Sequence, residues 1–362
     1  MKKWLKIALC GILALSMTAC SFGGNSDIDP EEVYGCSTLN VYNWGEYIGE
    51  NTIRNFERQF NVKVNYSMYA SNEEMYTKLL GGSQYDILIP SDYMIERLIS
   101  EDMLQPLNKE MIPNMENLAD GVKGLSYDPD NTYTAPYFWG SVGIVYDKTK
   151  VDPKDVESQG YDVLRNPKYK GHVFAYDSER DSFMMALKAL GYSMNTEDDG
   201  EIQEAYEWLL DMVDKVEPSF VTDEVIDGMV VGEKDMAVVY SGDAAYMLSQ
   251  NENLAYWLPE EGTNLWSDAM VIPANAKCPA LANEFINYIL SDDASYDNSS
   301  TAGYASSNKN VLEEMTADGG EFDGNSAYLP RSGYDKDEIF EFNDVLKKKL
   351  SDLWIKVKSH KN

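Results

Sequence analysis

Residues 85 to 91 read Tyr-Asp-Ile-Leu-Ile-Pro-Ser. The run Ile87-Leu88-Ile89 has no polar position to turn toward water. A strand made from it must be covered on both faces, and such strands belong to sheets with helices packed on either side. The neighbouring sequence supplies those helices. "TLNVYNW" from Thr38 is a strand by its alternation and its β-branched and aromatic residues. "NTIRNFERQF" then places Ile53, Phe56 and Phe60 at helical spacing. "NVKVNYSMY" alternates again, and Ser71-x-x-Glu74 forms a capping box that opens the next helix. Gly81-Gly82 stops that helix; no Gly-Lys-Ser follows, so the pair is not a phosphate loop. "DYMIERLISEDM" is the helix after the apolar strand. Strand and helix in alternation imply a largely parallel sheet.

The pattern restarts after "TYTAPYFWGSVGIVYD". "HVFAYDSERDSFMMALKALGYS" is strand, acidic loop, helix, and "DMAVVYSGDAAYML" is strand, glycine turn, helix. A second α/β lobe is therefore expected. Residues 38–141 and 269–312 are assigned to lobe 1, and 142–268 and 313–362 to lobe 2. In open α/β sheets, ligands sit beyond the carboxyl ends of the strands. Trp44-Gly45-Glu46-Tyr47 and Ser91-Asp92-Tyr93 lie at two such ends. Trp266-Ser267-Asp268 lies where the chain recrosses to the first lobe.

The N-terminus sets the compartment. Lys2, Lys3 and Lys6 precede an apolar stretch from Ile7 to Leu15, which reads as a secretory signal at 1–19. The stretch is shorter than the ~20 residues that a membrane span needs. Met17-Thr18-Ala19-Cys20 resembles a bacterial lipobox, with Met17 where Leu is commoner. That resemblance implies cleavage before Cys20 and a lipid on its sulfur, with 20–37 as a polar tether. Removing residues 1 to 19 from the 362 leaves 343, enough for two domains, and takes three lysines, so the formal charge moves from −31 to −34. Such acidity argues against nucleic acid or anionic lipid as a partner, and an acidic surface also keeps a protein soluble. Cys36 and Cys278 remain outside the signal, where oxidising conditions would permit a bridge; the sequence does not decide whether one forms. No Cys-x-x-Cys pair is present and His172 is far from His360, so no metal site and no cofactor are expected.

Glu46, Asp268 and the group Asp177, Glu179, Asp181 fall on strand-to-helix or crossing loops. Trp44, Tyr47, Tyr93, Tyr240 and Trp266 fall on loops of the same kind. A cleft of acids and aromatic faces suits a flexible chain carrying several ammonium groups. Each ammonium needs a carboxylate, because desolvating it alone costs several kcal/mol. Aromatic faces add about 0.5–2 kcal/mol each through cation–π attraction. Buried methylenes contribute up to ~0.8 kcal/mol apiece. After ordering costs, such terms reach micromolar affinity, about −8 kcal/mol.

From Thr38 to the C-terminus the chain resembles the spermidine/putrescine-binding proteins, extracytoplasmic receptors of polyamine ABC transporters. The markers are "NVYNWGEYI", "YASNEEMYTKL", "DILIPSDYMIERL", "APYFWGSVGIVYD", "MALKALGYSMNT" and "WSDAMVIPANA", in that order. The resemblance implies a type II periplasmic-binding fold: two α/β lobes with mixed, mostly parallel sheets, joined by a hinge. It implies ligand contacts from Trp44, Glu46, Tyr47, Ser91, Tyr93, Trp266, Asp268 and Tyr304. Gly45 replaces the family's Thr or Ser, and Tyr240 replaces a family Trp. In the family's Asp-x-x-Glu pattern, Asp181 takes the Glu position and Ser178 the Asp position. Asp177 or Glu179 could supply the missing charge, and Asp177 is preferred. For the family's polar contact in the C-terminal segment, Glu341 is the nearest candidate.

The resemblance implies a polyamine receptor that closes its lobes on the ligand and presents it to permease subunits, as a lipid-anchored monomer and not as an enzyme. Three alternatives use the same features. A sugar receptor would also use aromatic platforms, but would not need several acids to converge. A surface glycosidase would need one acid held protonated, which nothing in the sequence marks. A polyamine sensor would need the same cleft and the same tether.

Overall fold

The computed structural model describes residues 29–360. The expected signal and the Cys20 anchor lie outside them. Eleven strands occur among the described residues: β1 (Thr38–Trp44), β2 (Lys63–Tyr69), β3 (Ile87–Leu88), β4 (Leu104–Gln105), β5 (Thr134–Asp147), β6 (Val173–Tyr176), β7 (Ser219–Val221), β8 (Met236–Tyr240), β9 (Leu254–Trp257), β10 (Leu265–Pro273) and β11 (Ala305–Ser306). They run in the order β2-β1-β3-β10-β5-β8-β6-β7, with β4 added to β10 and β9 and β11 to β5.

The βαβ units pair in parallel, as the alternation requires: β1 with β2 and β3, and β6 with β7 and β8. Every antiparallel pairing involves β5 or β10. These two strands carry the chain across the middle. Residues Thr134–Ser141 of β5 pair with β10, and Val142–Asp147 pair with β8 and β9. One strand thus serves both lobes, and all its residues are buried. Leu265 already pairs with Ser141, so Trp266 to Asp268 belong to the first-lobe sheet and the return crossing lies before 265. The helix Lys309–Thr316 buries Val311 and Met315 in a core cluster that draws on both lobes.

Apolar stripes cover both faces of the sheet. Phe56 and Phe60 of the helix Thr52–Phe60 pack with Phe285 and Tyr288 on one side of lobe 1. Met75, Met94, Ile95 and Leu98 cover the other. In lobe 2, Ile202, Leu209 and Met212 of the helix Asp199–Val216 join Leu346, Leu350 and Trp354 of the C-terminal helix Asp344–Lys358. Within the span expected as a polar tether, Pro30–Tyr34 is a short helix whose cap, Asp29, accepts from Glu31 N at 3.1 Å. Cys36 and Cys278 form a disulfide with Cα atoms 6.1 Å apart, fixing that helix to lobe 1.

The segment before the C-terminal helix is a strap across the two lobes. Glu338 is ion-paired with the buried Lys188 of lobe 2, and its backbone bonds to Thr263 and Leu265 at the crossing. Four residues later, Phe342 N donates to Glu96 of lobe 1 at 2.6 Å. Lys347 then pairs with Glu73, and Arg97 lies 3.6 Å from Asp344.

Candidate ligand cleft

A cavity of about 840 Å³ opens between the lobes. Its walls are strand ends. β1 delivers Trp44, β6 delivers Tyr176, β8 delivers Tyr240, and Ser91 follows β3. Because β10 runs antiparallel, it brings its first residues, Trp266 and Asp268, to the same place.

The indole of Trp266 is the centre of the aromatic wall. Tyr304 stands edge-on to it at 5.1 Å and Tyr240 at 6.2 Å, and Tyr47 is 5.7 Å from Tyr304. Two glycines make this packing fit. A Cβ on Gly140 would collide with the Trp266 ring, and one on Gly242 with the Tyr304 ring. Each tyrosine donates its hydroxyl to a carboxylate. Tyr47 Oη reaches Asp268 Oδ2 at 2.8 Å, Tyr240 Oη reaches Asp181 Oδ2 at 2.9 Å, and Tyr304 Oη reaches Asp243 Oδ1 at 3.3 Å. Three tyrosine–carboxylate pairs therefore surround one indole.

These carboxylates are costly to keep charged. Burial pushes Asp268 up to about 6, against the Ser91 and Tyr47 hydrogen bonds that favour the anion. Burial also pushes Asp243 up to about 6 and raises Asp181. Asp92, beneath Asp268, is pushed up to about 8, by burial first and by its acidic neighbour as well. Asp181 Oδ1 and Trp266 Nε1 are buried without a hydrogen-bond partner. A buried polar atom left unpaired loses its hydration with no return, so Asp181 Oδ1 is an acceptor in place for a donor.

The other first-lobe residues are braced from behind. Trp44 Nε1 donates to Ile89 O at 2.9 Å, and Asn72 Nδ2 donates to Ser91 Oγ at 3.2 Å and Tyr93 Oη at 3.0 Å. Trp44, Tyr47, Ser91, Tyr93, Asp181, Tyr240, Trp266, Asp268 and Tyr304 all line the cavity.

Two residues expected there do not. β1 ends at Trp44, and Glu46 sits at φ +51° in a left-handed turn, exposed and off the cavity wall. The turn breaks the alternation that would have kept positions 44 and 46 on one face. Asp177 is also turned away: it accepts from Trp354 Nε1 at 3.1 Å and Lys358 Nζ at 2.8 Å on the C-terminal helix. Glu179 is held by Ser351 at 3.0 Å, while Ser178 lines the cavity and caps its helix. The missing second-lobe charge is not restored from this loop. Two further acids do line the cavity: Asp243, on the first turn after β8, and Asp223, after β7. Both sit at strand-to-helix turns, the signal that identified Tyr240. Of the strap, Phe340 lines the cavity and Glu341 does not. Among the described residues no cluster of His, Cys, Asp and Glu could hold a metal ion.

The family model described as "Bacterial extracellular solute-binding protein" matches residues 51–323. The spermidine/putrescine-binding periplasmic protein of Escherichia coli K12 is 35% identical, over 85% of this chain and 85% of its own length. The putrescine-binding periplasmic protein PotF of the same organism is 30% identical, over 88% of this chain and 87% of its own. Among solved structures, the spermidine/putrescine ABC transporter substrate-binding protein PotD of Streptococcus pneumoniae superposes with a TM-score of 0.80 at 34% identity. That match covers 90% of this chain and 100% of the other.

Proposed function

The chain belongs to the bacterial extracellular solute-binding protein family, and from that premise we propose that it binds a polyamine between its lobes and delivers it to an ABC permease. The observation that carries this reading is the triad of tyrosine–carboxylate pairs around Trp266. Three acids gathered where burial penalises their charge require cations to balance them. Faces of Trp and Tyr between the acids suit the methylenes and ammonium groups that link such cations. The relatives named above bind polyamines by name, and they are receptors, not catalysts. A neutral sugar would leave Asp268 and Asp243 without a cation.

The proposed ligand contacts are Trp44, Tyr47, Ser91, Tyr93, Asp181, Tyr240, Asp243, Trp266, Asp268 and Tyr304. Contacts from both lobes make the closed form the one that ligand favours, and the permease reads that form. We also assign residues 1–19 to a signal, Cys20 to a lipid anchor and the functional unit to a monomer.

The test is titration calorimetry on the chain from Ser21, comparing putrescine, spermidine and a neutral sugar. Micromolar or tighter binding of an amine, with no sugar heat, is expected. Asp268→Asn should then lose roughly 2–5 kcal/mol, about 30-fold or more in Kd, because one charge of a buried pair is removed. Unchanged affinity in that variant would sink the site assignment.

A further inference from the structure

One cation already stands inside this acidic cleft. Arg180, on the first turn of the helix Glu179–Ala189, lines the cavity beside Asp181. Its guanidinium carbon lies 3.5 Å from the ring centroid of Tyr93 and 5.8 Å from that of Phe340. The stack joins three parts of the molecule: lobe 1, lobe 2 and the C-terminal strap. The Arg180 Nη1 atom is buried with no hydrogen-bond partner.

Arg180 and Phe340 also line a second, far smaller space of about 10 Å³, whose other walls include Met194, Asn195, Leu346 and Leu350. The same two side chains therefore face both spaces and separate them. One is bulky and apolar, the other bulky and cationic. A methylene chain growing toward this end meets the ring. An ammonium growing toward it meets a like charge, one that stands among Asp181, Asp92 and Glu73. The three tyrosine–carboxylate pairs lie around Trp266, and one of them, Tyr240–Asp181, stands next to this wall.

We propose that Arg180 and Phe340 form the end wall that sets the length of polyamine this cleft accepts. The inference rests on the polyamine reading above and adds its length limit. Discrimination comes here from a repulsive element as much as from attractive contacts.

The experiment titrates putrescine, spermidine and the longer tetra-amine spermine into the wild-type chain, Arg180→Ala, Phe340→Ala and the double variant. The ratio of spermine to putrescine affinity should rise about tenfold in Arg180→Ala and further in the double variant, with putrescine itself changed by no more than about threefold. If the double variant shows no cooperative melting transition, Arg180→Gln, which keeps the bulk and removes the charge, should raise the ratio alone. A ratio unchanged in every variant overturns the end-wall assignment. So does an equal loss for all three amines, which would place the stack in lobe closure. Silence of the wild type with all three amines would instead overturn the functional reading itself.

Discussion

Asp268 and Asp243 are carboxylates that folding has removed from water without supplying a cation. Both are pushed up to about 6 by burial. An ammonium with an amine pKa near 10 stays charged across this range, so only the carboxylates titrate. In the empty protein they take up protons as pH falls through about 6, and ligand must then displace those protons. Affinity should hold steady above the range in which Asp92 titrates, about 8, and fall about tenfold per pH unit for each of Asp268 and Asp243 below 6. Stability moves the other way. The unfolded carboxylates titrate near 4, so between about 4 and 6 the empty folded state binds more protons than the unfolded one, and these two groups destabilise it less as pH drops. Calorimetric titrations at three pH values, repeated on Asp268→Asn, would check the slope; a variant profile as steep as wild type would contradict the assignment of Asp268. The tyrosines belong to the same account, since each hydroxyl offsets part of what a carboxylate loses on burial.

At the level of elements, the strap limits how closure can work. Phe342 N to Glu96, Lys347 to Glu73 and Asp344 to Arg97 join lobe 1 to a helix that packs into lobe 2. Neither Lys347 nor Glu73 lines the cavity, although Glu73 also accepts from Tyr93 Oη at 3.5 Å, so the pair acts on the balance between open and closed forms. Its partners are partly exposed, which limits it to about 1 kcal/mol or less. Lys347→Ala should therefore weaken putrescine and spermidine binding by the same factor, no more than about fivefold, since a smaller closed fraction lowers every apparent affinity alike. Unequal factors would mean that Lys347 touches the ligand. The same elements explain which residues could be read from sequence. Trp266 and Asp268 were legible because a Trp-x-Asp opening an apolar strand marks the strand's end, where the side chains leave the covered sheet. Tyr240 was legible by its strand end, and Asp243, three residues later on the first turn of the helix Ser241–Gln250, carried the same signal unread. Asp177 was misplaced because its partners, Trp354 and Lys358, sit 177 and 181 residues away on a helix whose docking site no local pattern reveals. Glu46 was misplaced because the strand stops two residues before it.

Across the whole molecule, the alternation of strand and helix identified two α/β lobes. It could not show that one strand is shared by both, because the length of Thr134–Asp147 reads equally as a single long strand or as two short ones. Its crossing is also stitched. Ser141 N bonds to Ser241 Oγ at 3.2 Å, Val142 N to Asn264 O at 3.2 Å, and Leu265 N to Glu338 O at 2.8 Å. The crossing is thus a hydrogen-bonded ribbon, which we expect to bend where a free linker would swing. In deuterium exchange, a swinging linker would take up label quickly when empty and slow down on binding. A bending ribbon keeps its amides bonded throughout, so uptake at 140–142 and 264–265 should be slow with or without polyamine. The ligand-dependent protection should appear at 44–47, 91–93 and 178–181 instead, leaving the segment that moves the lobes as the quietest part of the exchange map.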